Sequence, residues 1–134
     1  MSVFETKYTV KPEHIDDLNH VNNVVYLEWI QDVANLHWNQ LKEGHDTSEY
    51  VWVVIRHEID YQRQAHLRDE VQVKTWVGET AGIKSVRHVE FYRENKLLVK
   101  AQTIFCLLDA KTFKPTRITD KILRTLAIKC TFEA

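Results

Sequence analysis

Residues 15–41 read IDDLNHVNNVVYLEWIQDVANLHWNQL, a polar loop dense in Asp, Asn and His that runs straight into a helical pattern. Tyr26, Ile30, Val33, His37 and Leu41 recur at intervals of three and four, flanked by Trp29 and Leu36. That is the wide apolar stripe of a helix buried along one side. Asn22 or Asn23 can cap it, because a short polar side chain accepts a hydrogen bond from the unpaired amides of a first turn. Gly44 marks its end. Nearly everything beyond Tyr50 reads as strand, so the helix must be covered by those strands, since neither layer hides its apolar face alone.

Working outward, residues 4–10 alternate weakly and form a first strand that ends before Pro12, which disfavours further ladder pairing. Residues 50–61 form the second strand. In strict alternation Val51, Val53, Ile55, His57, Ile59 and Tyr61 share one face, and Trp52, Val54, Arg56, Glu58 and Asp60 the other. After a charged turn, residues 70–77 present Val71, Val73, Thr75 and Val77 to the helix. Gly78 and Gly82 bracket a turn into a fourth strand over 83–93, and Glu94, Asn95 and Lys96 close a hairpin. In the last strand, 97–108, Leu97, Val99, Ala101, Thr103, Phe105 and Leu107 point inward, while Ile104, Cys106 and Leu108 make the outer face apolar. A short helix over 119–126, capped by Thr119, precedes a loosely committed tail. No repeat, low-complexity tract or linker divides the run. The expectation is one domain over 1–134 of the α+β class, a curved antiparallel sheet wrapped around one long helix.

Eighteen Lys and Arg against 19 Asp and Glu give a formal charge of -1, which argues against DNA or RNA as the main partner. Cys106 and Cys130 are too few and too far apart for a disulfide scaffold or a zinc knuckle. No basic-then-apolar leader is visible, and the apolar runs fall far short of the roughly 18 residues of a membrane span, so a reduced, cytoplasmic protein is expected. There is no GxxxxGK, GxGxxG or GxSxG. The histidines come without CxxC, HExxH or HxH, so a metal is not expected.

What remains chemically dense is the loop. Asp16, Asp17, Asn19, His20, Asn22 and Asn23 fall within eight residues, immediately before a helix start whose free amides and dipole favour negative charge. Attack on a carbonyl needs a carboxylate or imidazole to activate water, and donors to receive the oxyanion; this loop can supply both. The plainer reading is that Asp and Asn only end a strand and cap a helix.

The sequence resembles the hot-dog-fold thioesterases, in particular the acyl-CoA thioesterases related to 4-hydroxybenzoyl-CoA thioesterase, with an HVNN form also seen in acyl-carrier-protein thioesterases. The resemblance rests on Asp16-x-x-x-His20-Val21-Asn22-Asn23-x-x-Tyr26-Leu27, on His57-Glu58-Ile59-Asp60-Tyr61, on Gly82-x-x-Ser85 and on Cys106-Leu107-Leu108-Asp109, in the family's order across nearly the whole chain. It implies hydrolysis of an acyl-CoA thioester to free acid and CoA. The family's acidic residue stands four before the motif histidine and ten before the tyrosine, which selects Asp16 over Asp17 as the catalytic carboxylate. His20, Asn22 and Asn23 match the rest of the catalytic loop, and Tyr26 borders the pocket. The family usually has Gly where this chain has Asn19, a residue that tolerates positive φ.

The resemblance further implies a homodimer whose two sheets join edge to edge, with active sites between subunits; the apolar outer face adds the expectation of a homotetramer, a dimer of dimers through the outer sheet faces. Coenzyme A enters only as part of the substrate, with Arg63, His66, Arg68, Lys84 and Arg87 as candidate phosphate contacts and Val51, Trp52, His57 and Ser85 as further substrate contacts. The oxyanion donor is an amide near Asn23 and Val24, or near Val51 and Trp52. Trp29, Trp38, Trp52 and Trp76 are expected in the core or between subunits. The apolar inward faces favour an aliphatic or aromatic acyl group over a charged one. Two other readings stay open: a hot-dog hydratase or dehydratase using His20 with Asp16, and a dimeric module that binds acyl-CoA without turnover.

Overall fold

The computed structural model describes residues 2–127; the tail, with Cys130, lies outside the described residues. Strand β1 (Val3–Thr9) leads through a 3-10 turn at Pro12–His14 and the polar loop into helix α1 (Asn23–Leu41). Four strands follow, β2 (Tyr50–Tyr61), β3 (Glu70–Ala81), β4 (Lys84–Arg93) and β5 (Lys96–Asp109), and then helix α2 (Asp120–Thr125). They build one sheet of order β1-β3-β4-β5-β2, antiparallel at every junction. Strands β1 and β2 are its edges. Asn22 is the N-cap of α1, its Oδ1 accepting from the Val24 amide at 3.0 Å, and Thr119 caps α2.

The helix buries Tyr26, Trp29, Ile30, Val33 and His37 against the sheet, while Leu36, assigned to that stripe from sequence, is 42% exposed. Ala34 completes the buried face instead. Each full burial of a Val, Ile or Leu side chain contributes about 1.5–3 kcal/mol. The inward residues of β3 are Val71, Val73, Thr75 and Val77, as expected.

Strict alternation fails in β2, and the cause is a bulge. Val54 pairs with Phe105 and Arg56 with Ile104, leaving Ile55 as the extra residue. An extra residue hands every later side chain to the opposite face. Tyr50 and Trp52 therefore pack with the core before the bulge, and Ile59 after it. A second bulge, where Phe91 pairs with Val99 and Tyr92 with Leu97, buries Leu98 fully and leaves Leu97 half-buried. A third lies between Val77 and Thr80, so β3 runs through Gly78 rather than turning there. Gly78 makes room for a ring: a Cβ on it would stand 2.6 Å from His88 Nε2, whose imidazole stacks on Trp76. On the outer face, Cys106 is buried and Ile104 and Leu108 are half-buried, so the exposed apolar patch expected there is largely covered.

The core is not continuous. One cluster joins the first two-thirds of α1 to Val71, Val73, Val89, Phe91 and Val99; a smaller one gathers Val77, Leu107, Ile122 and Leu126, with Trp38 and Trp52 against it. A polar belt lies between them. Arg87 pairs across the sheet with Thr103, and Thr103 with His57, while Thr75 and His37 close the belt from β3 and the helix.

Candidate functional site

The polar loop is a tight hairpin. Ile15 and Val21 form an antiparallel bridge, the Asp16 amide donates to His20 O at 2.9 Å and the Asn19 amide to Asp16 O at 3.1 Å. Asn19 sits at φ 63, the left-handed conformation its short polar side chain tolerates. The Asp16 carboxylate reinforces the turn through Oδ1, which accepts from the Leu18 amide at 2.9 Å and the His20 amide at 3.2 Å. Oδ2 has no hydrogen-bond partner among the described residues. Asp17 is exposed.

Around Asp16 the structure gathers His20, whose ring meets His66 edge-on at 5.5 Å, and the exposed Asn22 and Asn23. Two amides of the first helical turn are committed, Val24 to Asn22 Oδ1 and Val25 to Asn22 O. The Asn23 amide has no partner among the described residues. Tyr26 is 2% exposed, its ring edge-on to Trp29, Tyr61 and Phe91. Its hydroxyl is the one buried side-chain polar atom without a partner among the described residues, and burial pushes its pKa up to about 12. The loop that follows β2 packs here too, the Val21 amide donating to Ala65 O. Arg63, His66 and Arg68 therefore belong to this end of the molecule. Arg63 is tied to Leu97 O at 2.8 Å.

At the opposite end of α1 lies a cavity of about 500 Å³, bordered by Trp38, Val51, Trp52, Val77, Ser85 and Arg87 and by Leu126 of the segment ending α2. Val51, Trp52 and Ser85 were expected at the substrate. Ser85 Oγ shares a 2.7 Å hydrogen bond with Thr80 Oγ1. Lys84, one position earlier, faces outward. Arg87 is no surface phosphate contact: it is 5% exposed, and its Nη1 donates to His37 Nδ1 at 2.8 Å and Thr75 Oγ1 at 3.1 Å. Burial brings its pKa down to about 10. Burial, and then the Arg87 charge, push His37 down to about 4. His57 faces the core, with Nδ1 2.8 Å from Thr103 Oγ1. No group of three or more His, Cys, Asp or Glu side chains able to hold a metal occurs among the described residues, and no described helix is long and apolar enough to cross a membrane.

Asp16 does not border the cavity of its own chain. With a rise of about 1.5 Å per residue, Asn22 and Trp38 stand about 24 Å apart along α1. The expected site residues thus fall into two groups, one at each end of the helix. Sequence reading missed Trp38 and Leu126 as cavity walls and Arg87 as an interior group.

Comparison with known proteins bears on the family and the fold. The chain is 25% identical over 130 residues to the long-chain acyl-CoA thioesterase FadM of Escherichia coli, covering 91% of this chain and 96% of that protein. The crystal structure of the probable thioesterase YbaW from Escherichia coli superposes with a TM-score of 0.80 at 25% identity, over 91% of this chain and 95% of that one. A predicted thioesterase from Bacillus stearothermophilus superposes at 0.83 and 21% identity, over 94% and 95%. The shared architecture is the hot-dog fold. Residues 1–126 match the model of the acyl-ACP thioesterase N-terminal domain, and the chain belongs to that family.

Proposed function

We propose that the protein, as a single hot-dog domain of the kind related to 4-hydroxybenzoyl-CoA thioesterase, hydrolyses acyl-CoA thioesters in the cytoplasm as a homodimer. The observation that carries this reading is the separation of the two half-sites along α1. Strand β2 begins beside the cavity at Tyr50 and Val51 and ends beside the catalytic loop, where Tyr61 reaches Asn23 O. Among the described residues it is also an unpaired edge, with Val54 and Ile55 exposed, a surface that invites a second strand. Antiparallel pairing of two β2 edges about a twofold axis brings the start of one against the end of the other. Asp16 of one protomer then overlooks the cavity of its partner. The half-covered outer face offers less to a tetramer, and the proposal stops at the dimer.

In such a site the acyl group fills the cavity and the thioester carbonyl lies at the mouth. Asp16, through the uncommitted Oδ2, either takes a proton from water or attacks the carbonyl carbon. The Asn23 amide, at the positive end of α1, receives the developing oxyanion. His20 with Asn22 holds the loop's shape. Arg63, His66 and Arg68 stand beside the loop to meet the phosphates of coenzyme A. Because Oδ2 is left free by the turn, hydrolysis is favoured over binding without turnover.

The test is complementation. Asp16→Asn and a cavity-filling Val51→Trp should each abolish hydrolysis as homodimers, while unfolding and refolding them together should recover up to about a quarter of the parental activity through mixed dimers. Absence of recovery despite proven mixed dimers would sink the shared-site reading.

A further inference from the structure

The cavity contains a charge that the proposed reaction does not use. Arg87 borders it and is 5% exposed, yet both of its hydrogen bonds go to neutral acceptors, His37 Nδ1 and Thr75 Oγ1, and both leave from Nη1. Among the described residues no carboxylate lies within ion-pair distance of it. Among the described residues the cavity wall includes a second cation, Lys42, and neither Asp nor Glu. A buried guanidinium is costly unless it is paired, and its planar fork fits a two-oxygen anion. His37 is no competitor for that anion. It accepts from Arg87 through Nδ1, and with the ring neutral its proton sits on Nε2, toward Ser2 Oγ at 3.1 Å. Nε and Nη2 of Arg87 have no protein acceptor among the described residues, and neither is a fully enclosed orphan, since Tyr26 OH alone is. They border open space.

We infer that the cavity is built for an acyl group whose far end carries a carboxylate, received by Arg87 with Ser85 beside it, so that the preferred substrate is the monothioester of a dicarboxylic acid. This rests on the hydrolytic reading above and runs against the apolar preference expected from the strand faces. The remaining wall, Trp38, Trp52, Val77, Phe105 and Leu126, suits the methylene chain between the two ends.

The experiment compares ω-carboxyacyl-CoAs with unsubstituted acyl-CoAs of equal length, from short to long, on the parental protein. The expected result is a kcat/KM higher by at least about tenfold for the carboxylated series at its best length. Arg87→Met should invert that preference and Arg87→Lys retain part of it, with circular dichroism checking the fold of both. Calorimetric titration with free adipate and suberate separates the two readings: Arg87-dependent binding without turnover of any thioester sinks hydrolysis and keeps the anion site. Turnover of unsubstituted acyl-CoAs at equal or better efficiency, with no Arg87-dependent dicarboxylate binding, overturns the inference and keeps hydrolysis. Titration with adenosine 3′,5′-bisphosphate tests the other source of an oxyanion. Arg87-dependent binding of it would assign the guanidinium to the coenzyme instead and overturn the inference.

Discussion

Asp16 and Asp17 are adjacent carboxylates with different surroundings. Asp16 is half-buried and held by two amides through one oxygen, whereas Asp17 is exposed and accepts no hydrogen bond among the described residues. Asp16→Asn keeps the volume and one acceptor for the turn but removes the charge needed at a thioester. It should fold, bind acyl-CoA and lose at least about a hundredfold in hydrolysis, while Asp17→Asn loses far less; steady-state kinetics of the two side by side decides the assignment. Asn22→Ala removes the cap of α1 and should lower stability by about 1 kcal/mol in urea titration. The shape of the polar loop was legible because it is local: a turn-tolerant Asn19 and the Asn22 cap lie within a few residues. Arg87 was less so. Its inward register with Ser85, Val89 and Phe91 is written in the alternation of the strand, but an arginine among strand residues reads as surface by default, and nothing local shows that His37, fifty positions away, is waiting for its proton.

Between helix and sheet the polar belt makes a prediction about pH. His37 must be neutral to accept from Arg87, and its pKa in the fold is about 4 against an ordinary 6.5. The unfolded chain takes up a proton near pH 6.5 and the folded chain only near 4, so between these values the unfolded state binds more protons. Stability is therefore full above pH 6.5 and falls as the pH drops toward 4, by at most about 3 kcal/mol from this residue. Urea midpoints at pH 7 and 4.5 should differ less in His37→Gln, which keeps an acceptor and cannot titrate; an unchanged difference would show that carboxylates alone set the slope. The elements themselves followed from periodicity, since α1 and β3 bury the faces their patterns demand. Beyond Ile55 the faces of β2 did not follow, because a bulge is decided by pairing with β5 rather than by the strand's own residues.

For the whole molecule, the question is what covers the β2 edge. A twelve-residue edge strand with exposed Val54 and Ile55 is an open template unless a partner occupies it, and isolated proteins blunt such edges with charge. Arg56 and Glu58 do neutralise one another there, in an exposed pair; such a pair contributes little by itself and leaves Asp60 as the one uncompensated charge of the described strand to repel a second copy. Light scattering at micromolar concentration should give a mass of at least twice the 15.9 kDa chain. Placing lysine at both Val54 and Ile55 should shift the protein to monomer, since two like charges facing their twofold mates in a β ladder repel and must be desolvated. Neither residue lies in the polar loop, borders the cavity or is buried, so the fold should persist by circular dichroism. Hydrolysis should nonetheless collapse together with the dimer, because each monomer keeps a carboxylate at one end of α1 and a cavity at the other with nothing to bring them together. Full activity in a proven monomer would mean that one chain completes the site alone.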